Sequence, residues 1–414
     1  MDKRVVITGT GAISCVGNDV NAFWDGVVNG RSGITRVNTF DVSEFRTQIG
    51  GHVKDFDITN YMSIKEARRL DRFCQFAIAA GDEALSSAGL AAGLDGLNSK
   101  RVGVLVGSGI GGISAIETQS KILSERGPGK VSPFFVPMMI INLASGNLAI
   151  RYGAKGPNIS IATACASSTH SIGESFWMIK RGDADVMITG GAETGVSALS
   201  FAGFCAMKAM SQRNDDPTAA SRPFDADREG FVIGEGAGIL VMEELEHAKK
   251  RGANILAEVI GYGLTADAYH ITAPAPGGEG LADAMKMALN HAGIHGSDVD
   301  YINAHGTSTP LNDKFETLAI KDVFGENAYN IPISSIKGTI GHNLGASGAL
   351  ETISCIKTLQ ENVIPPTINY TTKDPDCDLD YTPNTARETK VDIAVNSNLA
   401  FGGHNAALVL KKYK

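Results

Sequence analysis

The chain has 414 residues, of which 43% are hydrophobic and 20% are charged, and its formal net charge is −8. This composition is typical of a soluble globular protein with enough apolar residues for a large core. The sequence contains no uninterrupted apolar run of about 18 residues, which argues against a membrane-spanning helix. The acidic balance, without a strongly basic tract, argues against a nucleic-acid-binding protein.

The N-terminal residues and the cysteines predict a cytoplasmic protein. A charged tip, residues 1–4, precedes Val5-Val6-Ile7, and this pattern indicates a strand rather than a signal peptide. The six cysteines lack the spacing of a metal site or of a disulfide framework. We therefore expect reduced thiols and no bound metal.

Two parts of the chain repeat the same series of predicted elements. A β-branched strand enters a glycine turn at residues 5–11 and again at residues 258–263. Each copy continues with a helix that ends in Ala-Gly, a buried strand and a closing apolar strand. The matching pairs are residues 88–89 and 292–293, 102–106 and 299–303, and 236–242 and 403–410. Glycine is typical of the position just after a helix.

This alternation of helices with Val- and Ile-rich strands predicts an α/β protein whose sheets are covered by helices on both faces. The repeat predicts an N-terminal half, residues 1–254, and a C-terminal half, residues 255–414, related by a pseudo-twofold axis. The N-terminal half is longer, so we expect an insertion at about residues 115–160. Residues of both halves are then expected to meet at one site.

Residues 107–112, Gly-Ser-Gly-Ile-Gly-Gly, match the G-x-G-x-x-G pattern of dinucleotide-binding loops. That pattern also requires a second strand ending in an acidic residue about 20 positions later. Here residues 113–123 have a helical pattern instead, and no G-x-x-x-x-G-K-[ST] sequence occurs. The surrounding sequence therefore disfavours nucleotide binding.

Cys165 lies between a predicted buried strand, residues 159–164, and a predicted helix that ends near Gly182. Unpaired N–H groups and the helix dipole favour a thiolate at a helix N-terminus, so we expect a lowered thiol pKa. The same N–H groups can hold a developing oxyanion. The alternative is a small buried side chain without chemistry, which is our interpretation of the other five cysteines.

His305 and His342 each follow a predicted buried strand in the C-terminal half, within glycine-rich turns. Because α/β sheets place ligands at the carboxyl ends of their strands, both histidines are candidates for the functional site. A structural role in a turn is the alternative for either one alone. Their spacing matches no known zinc motif.

A basic stripe is predicted at Lys65, Arg68, Arg69 and Arg72, because these positions share one face of a helix. Such a stripe is either a solvated surface or a docking site for an acidic partner.

Together these segments resemble the β-ketoacyl-[acyl carrier protein] synthases of the condensing-enzyme, thiolase-fold family, and the type II members most closely. The resemblance covers essentially the whole chain. It is carried by residues 107–112, 133–137, 163–168, 221–225, 268–270, 303–310, 337–342 and 401–405.

The resemblance implies a thiolase-like fold with duplicated, layered αβαβα halves, and a decarboxylative Claisen condensation in fatty-acid elongation. Cys165 would carry the acyl group, with an oxyanion hole formed by the backbone N–H groups of Cys165 and Phe401. Neutral His305 and His342 would stabilise the enolate formed from the malonyl substrate. Substrates would arrive on the phosphopantetheine arm of acyl carrier protein, without a further cofactor, and the enzyme would be a homodimer.

The resemblance also implies supporting roles. These are Lys337 paired with Glu351 or Glu316, Asp313 as structural support, Thr307 and Thr309 on the pantetheine arm, Ile110 in the acyl pocket, Phe401 as its gate, and Lys65, Arg68, Arg69 and Lys208 in carrier docking.

Departures from the family pattern and several alternatives accompany this interpretation. Leu311-Asn312 stands where small residues are common. Gly338 stands where the family usually has Ser, and Ala400 where it usually has Gly. If position 400 needs a positive φ, we expect a stiffer gate. A thiolase or a type III synthase is disfavoured, because neither the second cysteine of thiolases nor the Asn of type III enzymes occurs at the matching position. A polyketide ketosynthase and a non-catalytic chain-length subunit stay open, although such subunits usually lack the cysteine at position 165.

Overall fold

The strands expected from the Val- and Ile-rich runs form the centre of the molecule. The computed structural model describes residues 3–90, 93–94 and 96–414, so Met1 and Asp2 of the predicted charged tip lie outside the described residues. The strands are β1 Val5–Ile13, β2 Thr35–Arg36, β3 Ile49–Gly50, β4 Val102–Gly107, β5 Asn158–Ile159, β6 Val186–Thr194, β7 Glu235–Glu244, β8 Ala257–Ala266, β9 Tyr301–Asn303, β10 Ile333–Ser334, β11 Val363–Ile364, β12 Arg387–Glu388, β13 Ile393–Ala400 and β14 His404–Lys411.

Helices connect these strands and cover them. They are α1 Val20–Val28, α2 Ile64–Ala67, α3 Arg72–Ser87, α4 Ile113–Arg126, α5 Phe135–Met139, α6 Leu143–Tyr152, α7 Ser167–Arg181, α8 Ala198–Ala206, α9 Leu245–Lys250, α10 Glu279–Ala292, α11 Pro310–Phe324, α12 Lys337–Ile340 and α13 Ser347–Glu361. Within the described part of the chain, no helix is long and apolar enough to cross a bilayer.

Ten strands join in one mixed sheet with the order β10-β9-β13-β14-β8-β1-β7-β6-β4-β5. The two halves meet where β1 and β8 pair antiparallel, and Val5–Ile7 there oppose Ala257–Val259. Outward from this junction, β1-β7-β6-β4-β5 and β8-β14-β13-β9-β10 have the same connectivity. Equivalent strands therefore lie at equal distances from the junction, which is the predicted pseudo-twofold duplication.

Helices form three layers around the two halves of the sheet. Helices α3 and α6 pack on the outer face of the first half, and α10 and α11 pack on that of the second. Helices α7 and α13 lie between the halves, where Phe176 and Ile353 join strand residues such as Val5 and Met242 in one buried cluster. The resulting order is helix, sheet, helix, sheet, helix, as the αβαβα expectation requires.

The longer first half carries extra helices. The series β1-α3-β4-α6-β5-α7-β6-β7 matches β8-α10-β9-α11-β10-α13-β13-β14, element by element. Helices α4 and α5, residues 113–139, have no counterpart among the described elements of the second half. They fall largely in the segment for which an insertion is predicted. The boundary predicted at residue 254 falls in the loop between α9 and β8.

Two local expectations are wrong. Residues 159–164 do not form a buried strand, because β5 is an exposed edge strand that ends at Ile159 and the chain then turns to begin α7. The basic stripe does not lie on one helix either. Helix α2 ends at Ala67, and Asp71 accepts a hydrogen bond from the N–H of Phe73 to cap α3, which begins at Arg72.

Candidate active site

Cys165 lies in a tight turn directly before α7. Helix α7 begins at Ser167 and ends before Gly182, as the sequence predicts. Ala164 adopts φ 48°, a left-handed conformation that is uncommon for a residue with a side chain. The Ser167 hydroxyl holds this turn, because it donates to the carbonyl of Ala164 at 2.7 Å and accepts from the N–H of Thr163 at 2.9 Å. The backbone therefore fixes the position of the thiol.

The structure brings Cys165 of the first half together with His305 and His342 of the second. The Nε2 atom of His342 lies 3.0 Å from the Cys165 sulfur, and the two imidazole rings are 5.2 Å apart and nearly perpendicular. All three side chains are buried. One ligand atom from each lies within 4.8 Å of the others, close enough to hold a metal ion, so the expected absence of a metal stays a prediction.

Backbone and side-chain donors fix the tautomer of His342. The N–H of Leu344 donates to its Nδ1 at 3.3 Å, and the Ser347 hydroxyl lies 3.0 Å from the same atom. Because Nδ1 acts as an acceptor, a neutral ring carries its proton on Nε2. His342 therefore directs an Nε2–H donor towards the Cys165 sulfur.

The same arrangement occurs at His305. Its Nδ1 accepts from the amide of Asn398 at 3.0 Å and lies 3.4 Å from the ammonium of Lys337. Both neighbours are donors, so the neutral ring again carries its proton on Nε2. The site thus holds two Nε2–H donors beside one thiol.

Burial keeps both rings neutral. It lowers the pKa of His305 and the pKa of His342 well below the ordinary histidine value, and the Lys337 cation lowers both further. Neutral imidazoles donate a hydrogen bond without readily releasing the proton. The expectation that these two side chains act as neutral donors therefore agrees with their surroundings.

The expectation of a lowered thiol pKa is wrong for the resting site. Burial raises the pKa of Cys165 to about 12, although the Lys337 cation and a hydrogen bond from the backbone N–H of Phe401 act in the opposite direction. Desolvation of a fully buried thiolate thus outweighs the helix N-terminus. The sulfur rests as a neutral thiol, with the Phe401 N–H already directed at it.

Lys337 forms its ion pair with Glu351 and not with Glu316. Its ammonium forms an ion pair with Glu351 and donates to the backbone carbonyl of His305. The second oxygen of Glu351 accepts from the Asn398 amide at 2.7 Å, and this amide also holds His305. Lys337 and Glu351 are each only 1% exposed, so the pair is closed to solvent.

Glu316 and Asp313 support the backbone instead. Glu316 accepts from the N–H groups of His305 and Gly306, both at 2.7 Å, and burial raises the pKa of Glu316 to about 7. Asp313 accepts from the N–H of Phe224 at 2.7 Å and lies 3.6 Å from the Arg228 guanidinium. These carboxylates shape the loop that presents His305.

A cavity of about 490 Å³ opens onto the three reactive side chains. Much of its wall is apolar, and includes Phe231 and Leu399. The residues expected around the substrate also line it, namely Ile110, Thr307, Thr309 and Phe401. The hydroxyls of Thr307 and Thr309 are 2.9 Å apart. These polar atoms share the cavity with an apolar wall.

The four residues expected in carrier docking do not line one surface of the cavity. Lys208 is exposed and lines the cavity, whereas Lys65, Arg68 and Arg69 are exposed at and after α2, outside its lining. The Arg69 guanidinium lies over the ring of Phe134, 4.8 Å from its centre. The three-residue basic surface at α2 is therefore separate from the cavity lining.

The premise of a stiffer gate at Ala400 is wrong. Ala400 ends β13 and pairs with His404, and it does not have a positive φ. The positive φ angles of this turn occur at Gly402 and Gly403, at 83° and 73°, where the chain has glycine. At Gly338, a Cβ atom would lie 2.6 Å from Ile368, which fills the space of the missing side chain.

Sequence reasoning missed two residues beside the cavity. Asn398, which links His305 to Glu351, is on the strand that leads to Phe401, and this proximity was the available signal. Glu193 is the residue before the end of β6, and it binds the loop that contains Ile110. No local motif marks it.

Comparisons with known proteins agree with this geometry. Residues 2–248 match the family model of the β-ketoacyl synthase N-terminal domain, and residues 256–371 match that of the C-terminal domain. The chain therefore belongs to the β-ketoacyl synthase family.

Individual relatives are similar over their full lengths. The 3-oxoacyl-[acyl-carrier-protein] synthase 2 of Synechocystis sp. is 50% identical over 412 residues, which cover 100% of this chain and 99% of that protein. The protein of the same name from Coxiella burnetii is 50% identical over 410 residues, 99% of each chain. A β-ketoacyl synthase from Burkholderia phymatum has a TM-score of 0.93 at 36% identity, with 100% of both chains covered. These similarities confirm the thiolase-like fold.

The electrostatic role of Lys337 is testable by NMR of labelled histidines. In the wild type we expect His305 and His342 to stay neutral between about pH 5 and 8. In Lys337→Met/Glu351→Gln, which leaves no lone buried charge, the pKa of His305 should rise, because the cation that opposed its protonation is gone. Its ring should then titrate at a higher pH than in the wild type.

The control is Lys357→Met/Glu361→Gln, which removes a Lys–Glu pair within α13. This variant should leave both rings as in the wild type. A His305 titration that stays in place, or moves to lower pH, in the Lys337 variant would contradict the assignment.

Proposed function

We propose that this protein is a type II β-ketoacyl-[acyl carrier protein] synthase. It lengthens the acyl chain on acyl carrier protein by two carbons in fatty-acid biosynthesis. The reaction is a decarboxylative Claisen condensation with malonyl-carrier protein. The observation that carries the proposal is the meeting of one thiol with two neutral Nε2–H donors in a largely apolar cavity. The relatives at 50% identity have the name of this activity.

The first half-reaction transfers the acyl group to Cys165. The sulfur attacks the thioester carbonyl, a new carbon–sulfur bond forms, and the pantetheine sulfur leaves with the proton that the thiol gives up. Negative charge develops on the carbonyl oxygen. The N–H groups of Cys165 and Phe401 stabilise that charge, and in other enzymes the loss of one such donor costs about 2.7–4 kcal/mol.

The second half-reaction forms the carbon–carbon bond. Malonyl-carrier protein loses CO₂, and the electron pair of the broken bond becomes an enolate. The Nε2–H groups of His305 and His342 donate to the enolate oxygen without protonating the carbon. That carbon then attacks the acyl group on Cys165, and the carbon–sulfur bond breaks. The sulfur leaves as a thiolate and takes up one proton from solvent, which restores the resting thiol.

Lys337 and the residues that line the cavity support the two half-reactions. Burial lowers the pKa of each histidine and the Lys337 cation lowers it further, so the rings remain neutral donors. Thr307 and Thr309 provide hydroxyls for the pantetheine arm, and Ile110 contacts the acyl chain. The chemistry uses the phosphopantetheine arm of the substrate and needs no cofactor of the protein's own.

A polyketide ketosynthase is the second candidate, because the same residues serve that chemistry. One solved structure is described as a type II PKS acyl-carrier protein in complex with its ketosynthase. Its matching chain has a TM-score of 0.92 to this chain, at 34% identity and with 100% of both chains covered. The higher identity to the synthase 2 proteins favours fatty-acid elongation. The chemical structure of the product after several extensions discriminates between fatty-acid and polyketide synthesis. Cytoplasmic localisation is a separate prediction.

Intact-mass measurements test the two half-reactions separately. After incubation with acyl-carrier protein we expect an acyl adduct on the wild type and none on Cys165→Ala. Malonyl-carrier protein should then discharge the adduct with release of CO₂. His305→Ala should form the adduct but discharge it about 10²–10³-fold more slowly, because one enolate donor is missing.

Cys205→Ala is the control, since Cys205 is the half-buried cysteine of the six. It should acylate as the wild type does. An adduct on Cys165→Ala, or no adduct on the wild type with either carrier-bound or CoA-bound acyl donors, would refute the proposed function.

We also propose that acyl carrier protein docks on the three-residue basic surface, Lys65, Arg68 and Arg69. These side chains are exposed on a chain whose net charge is −8, so they form a local positive region on an otherwise acidic molecule. Such a region attracts an acidic partner and accelerates its association. The contact with Phe134 places this surface beside α5.

Charge reversal tests the docking surface. Lys65→Glu/Arg68→Glu should raise KM for acyl-carrier protein about tenfold at low salt, with a smaller effect at high salt. KM for an acyl-pantetheine substrate should not change, because that substrate makes no protein–protein contact. Lys249→Glu/Lys250→Glu reverses the same number of charges on α9 and should leave both constants unchanged. Equal effects of the two double variants would exclude a specific surface.

A homodimer is the third part of the proposal. Strand β5 ends the sheet with an open edge and exposes Ile159. Phe134, just before α5, and Val136, within α5, are also exposed. Open edges and exposed apolar surfaces are typical of interfaces between subunits. Pairing of β5 with its copy across a twofold axis would cover the open strand edge and the exposed apolar side chains.

Light scattering tests this interface. The wild type should have twice the chain mass of 43.5 kDa. Ile159→Lys should shift the protein towards a monomer, because it places two like charges close to the axis. Ile271→Lys changes an isoleucine that is 78% exposed elsewhere and should remain dimeric. A monomeric wild type would rule out the dimer.

A further inference from the structure

The glycine-rich loop at residues 107–112, which resembles a phosphate-binding loop in sequence, binds an anion that belongs to the protein itself. The loop turns its backbone N–H groups towards the end of β6. Such a concave set of N–H groups is a general anion-binding arrangement. Here the carboxylate of Glu193, which is fully buried, occupies it.

The carboxylate of Glu193 binds donors on both of its oxygens. Oε1 accepts from the Ser108 hydroxyl at 2.8 Å, from the N–H of Ile110 at 3.2 Å and from the N–H of Gly111 at 3.3 Å. Oε2 accepts from the N–H of Gly109 at 2.6 Å. Burial raises the pKa of Glu193, and these hydrogen bonds, all of them from donors, act in the opposite direction and favour the ionised carboxylate. The carboxylate leaves no room there for an external phosphate.

A further donor comes from a different part of the chain. The N–H of Gly345 donates to Oε2 of Glu193 at 3.0 Å. Gly345 follows Leu344, and Leu344 follows the turn that carries His342. One side chain thus joins the glycine-rich loop to the loop of the second histidine.

Both joined loops form the wall of the cavity. Gly109 and Ile110 of the first loop line it, and so does Leu344 of the second. Ile110 and Leu344 also belong to one apolar cluster. A Cβ atom at Gly109 would lie 2.9 Å from Oε2 of Glu193, and one at Gly345 would lie 2.7 Å from it, so both loops approach the carboxylate as only glycine allows.

We propose that Glu193 is a positioning residue for acyl-chain selection, which limits the cavity by holding the Ile110 loop against the Leu344 loop. The inference rests on the proposed function, since it concerns the acyl substrate of that same site. Charge-assisted hydrogen bonds to two loops make the wall rigid. A rigid wall favours chains that fit the closed cavity over chains that must displace it.

Glu193→Gln tests this role with little change in shape. The amide NH₂ cannot accept hydrogen bonds, so it faces N–H donors without pairing and one loop is released. We expect the ratio of kcat/KM for palmitoyl-carrier protein to that for hexanoyl-carrier protein to rise about tenfold over the wild type, because the released wall admits the longer chain.

Glu83→Gln is the matched control. Glu83 is likewise a carboxyl group that holds two backbone segments, through the N–H groups of Ala12 and Val20, but neither of these donors lines the cavity. Both variants are expected to unfold at a lower temperature than the wild type. Only Glu193→Gln should change the ratio, whereas a merely structural role would lower stability and leave the ratio unchanged.

Ser108→Ala is the milder second variant, for use if Glu193→Gln does not fold. It removes one donor to the carboxylate and should raise the same ratio by a smaller factor. An unchanged ratio in the folded variants, on a wild type that acylates Cys165, overturns this inference alone. A wild type that does not acylate overturns the proposed function and this inference with it.

Discussion

The buried ion pair between Lys337 and Glu351 is the interaction on which the rest of the site depends. A lone charge at either position would be strongly destabilising, because no solvent reaches it. The pair is stable only with its further partners, the carbonyl of His305 and the amide of Asn398. These partners also orient the His305 ring. The same contacts therefore stabilise the buried charges and position the histidine donor. The cation then adds to the effect of burial, which lowers the pKa of both nearby imidazoles.

The duplicated fold provides the place where such a cluster can form. Helix α7 begins just after Cys165, and α13 begins just after the loop of His342, so two equivalent helix N-termini converge between the halves. The helices are in close contact there: the N–H of Ala349 donates to the Ser168 hydroxyl at 2.9 Å. A Cβ atom at Gly348 would lie 1.8 Å from the Thr169 hydroxyl, so this approach requires glycine. The pseudo-twofold arrangement therefore places the thiol beside the imidazoles.

Patterns local in sequence predicted much of this arrangement. Strand and helix periodicity, with glycine at the helix ends, was sufficient for the repeat. Positions after predicted strands indicated His305 and His342, and the start of a predicted helix indicated Cys165. Burial is not visible locally, and the expected thiol pKa was therefore wrong in direction. The basic stripe failed for a similar reason, because helical spacing did not reveal that Asp71 starts a new helix. Glu193 was missed because the loop it binds is more than 80 residues away in sequence.

The glycine-rich loop shows why a short motif defines an arrangement of donors but not their occupant. Glycines at these positions let backbone N–H groups converge, and convergent N–H groups attract negative charge of any origin. In a nucleotide-binding protein that charge is a phosphate from solution. In this chain it is a carboxylate supplied by β6 and shared with the loop after His342. The same physical attraction that would recruit a ligand elsewhere thus joins two walls of a substrate cavity here.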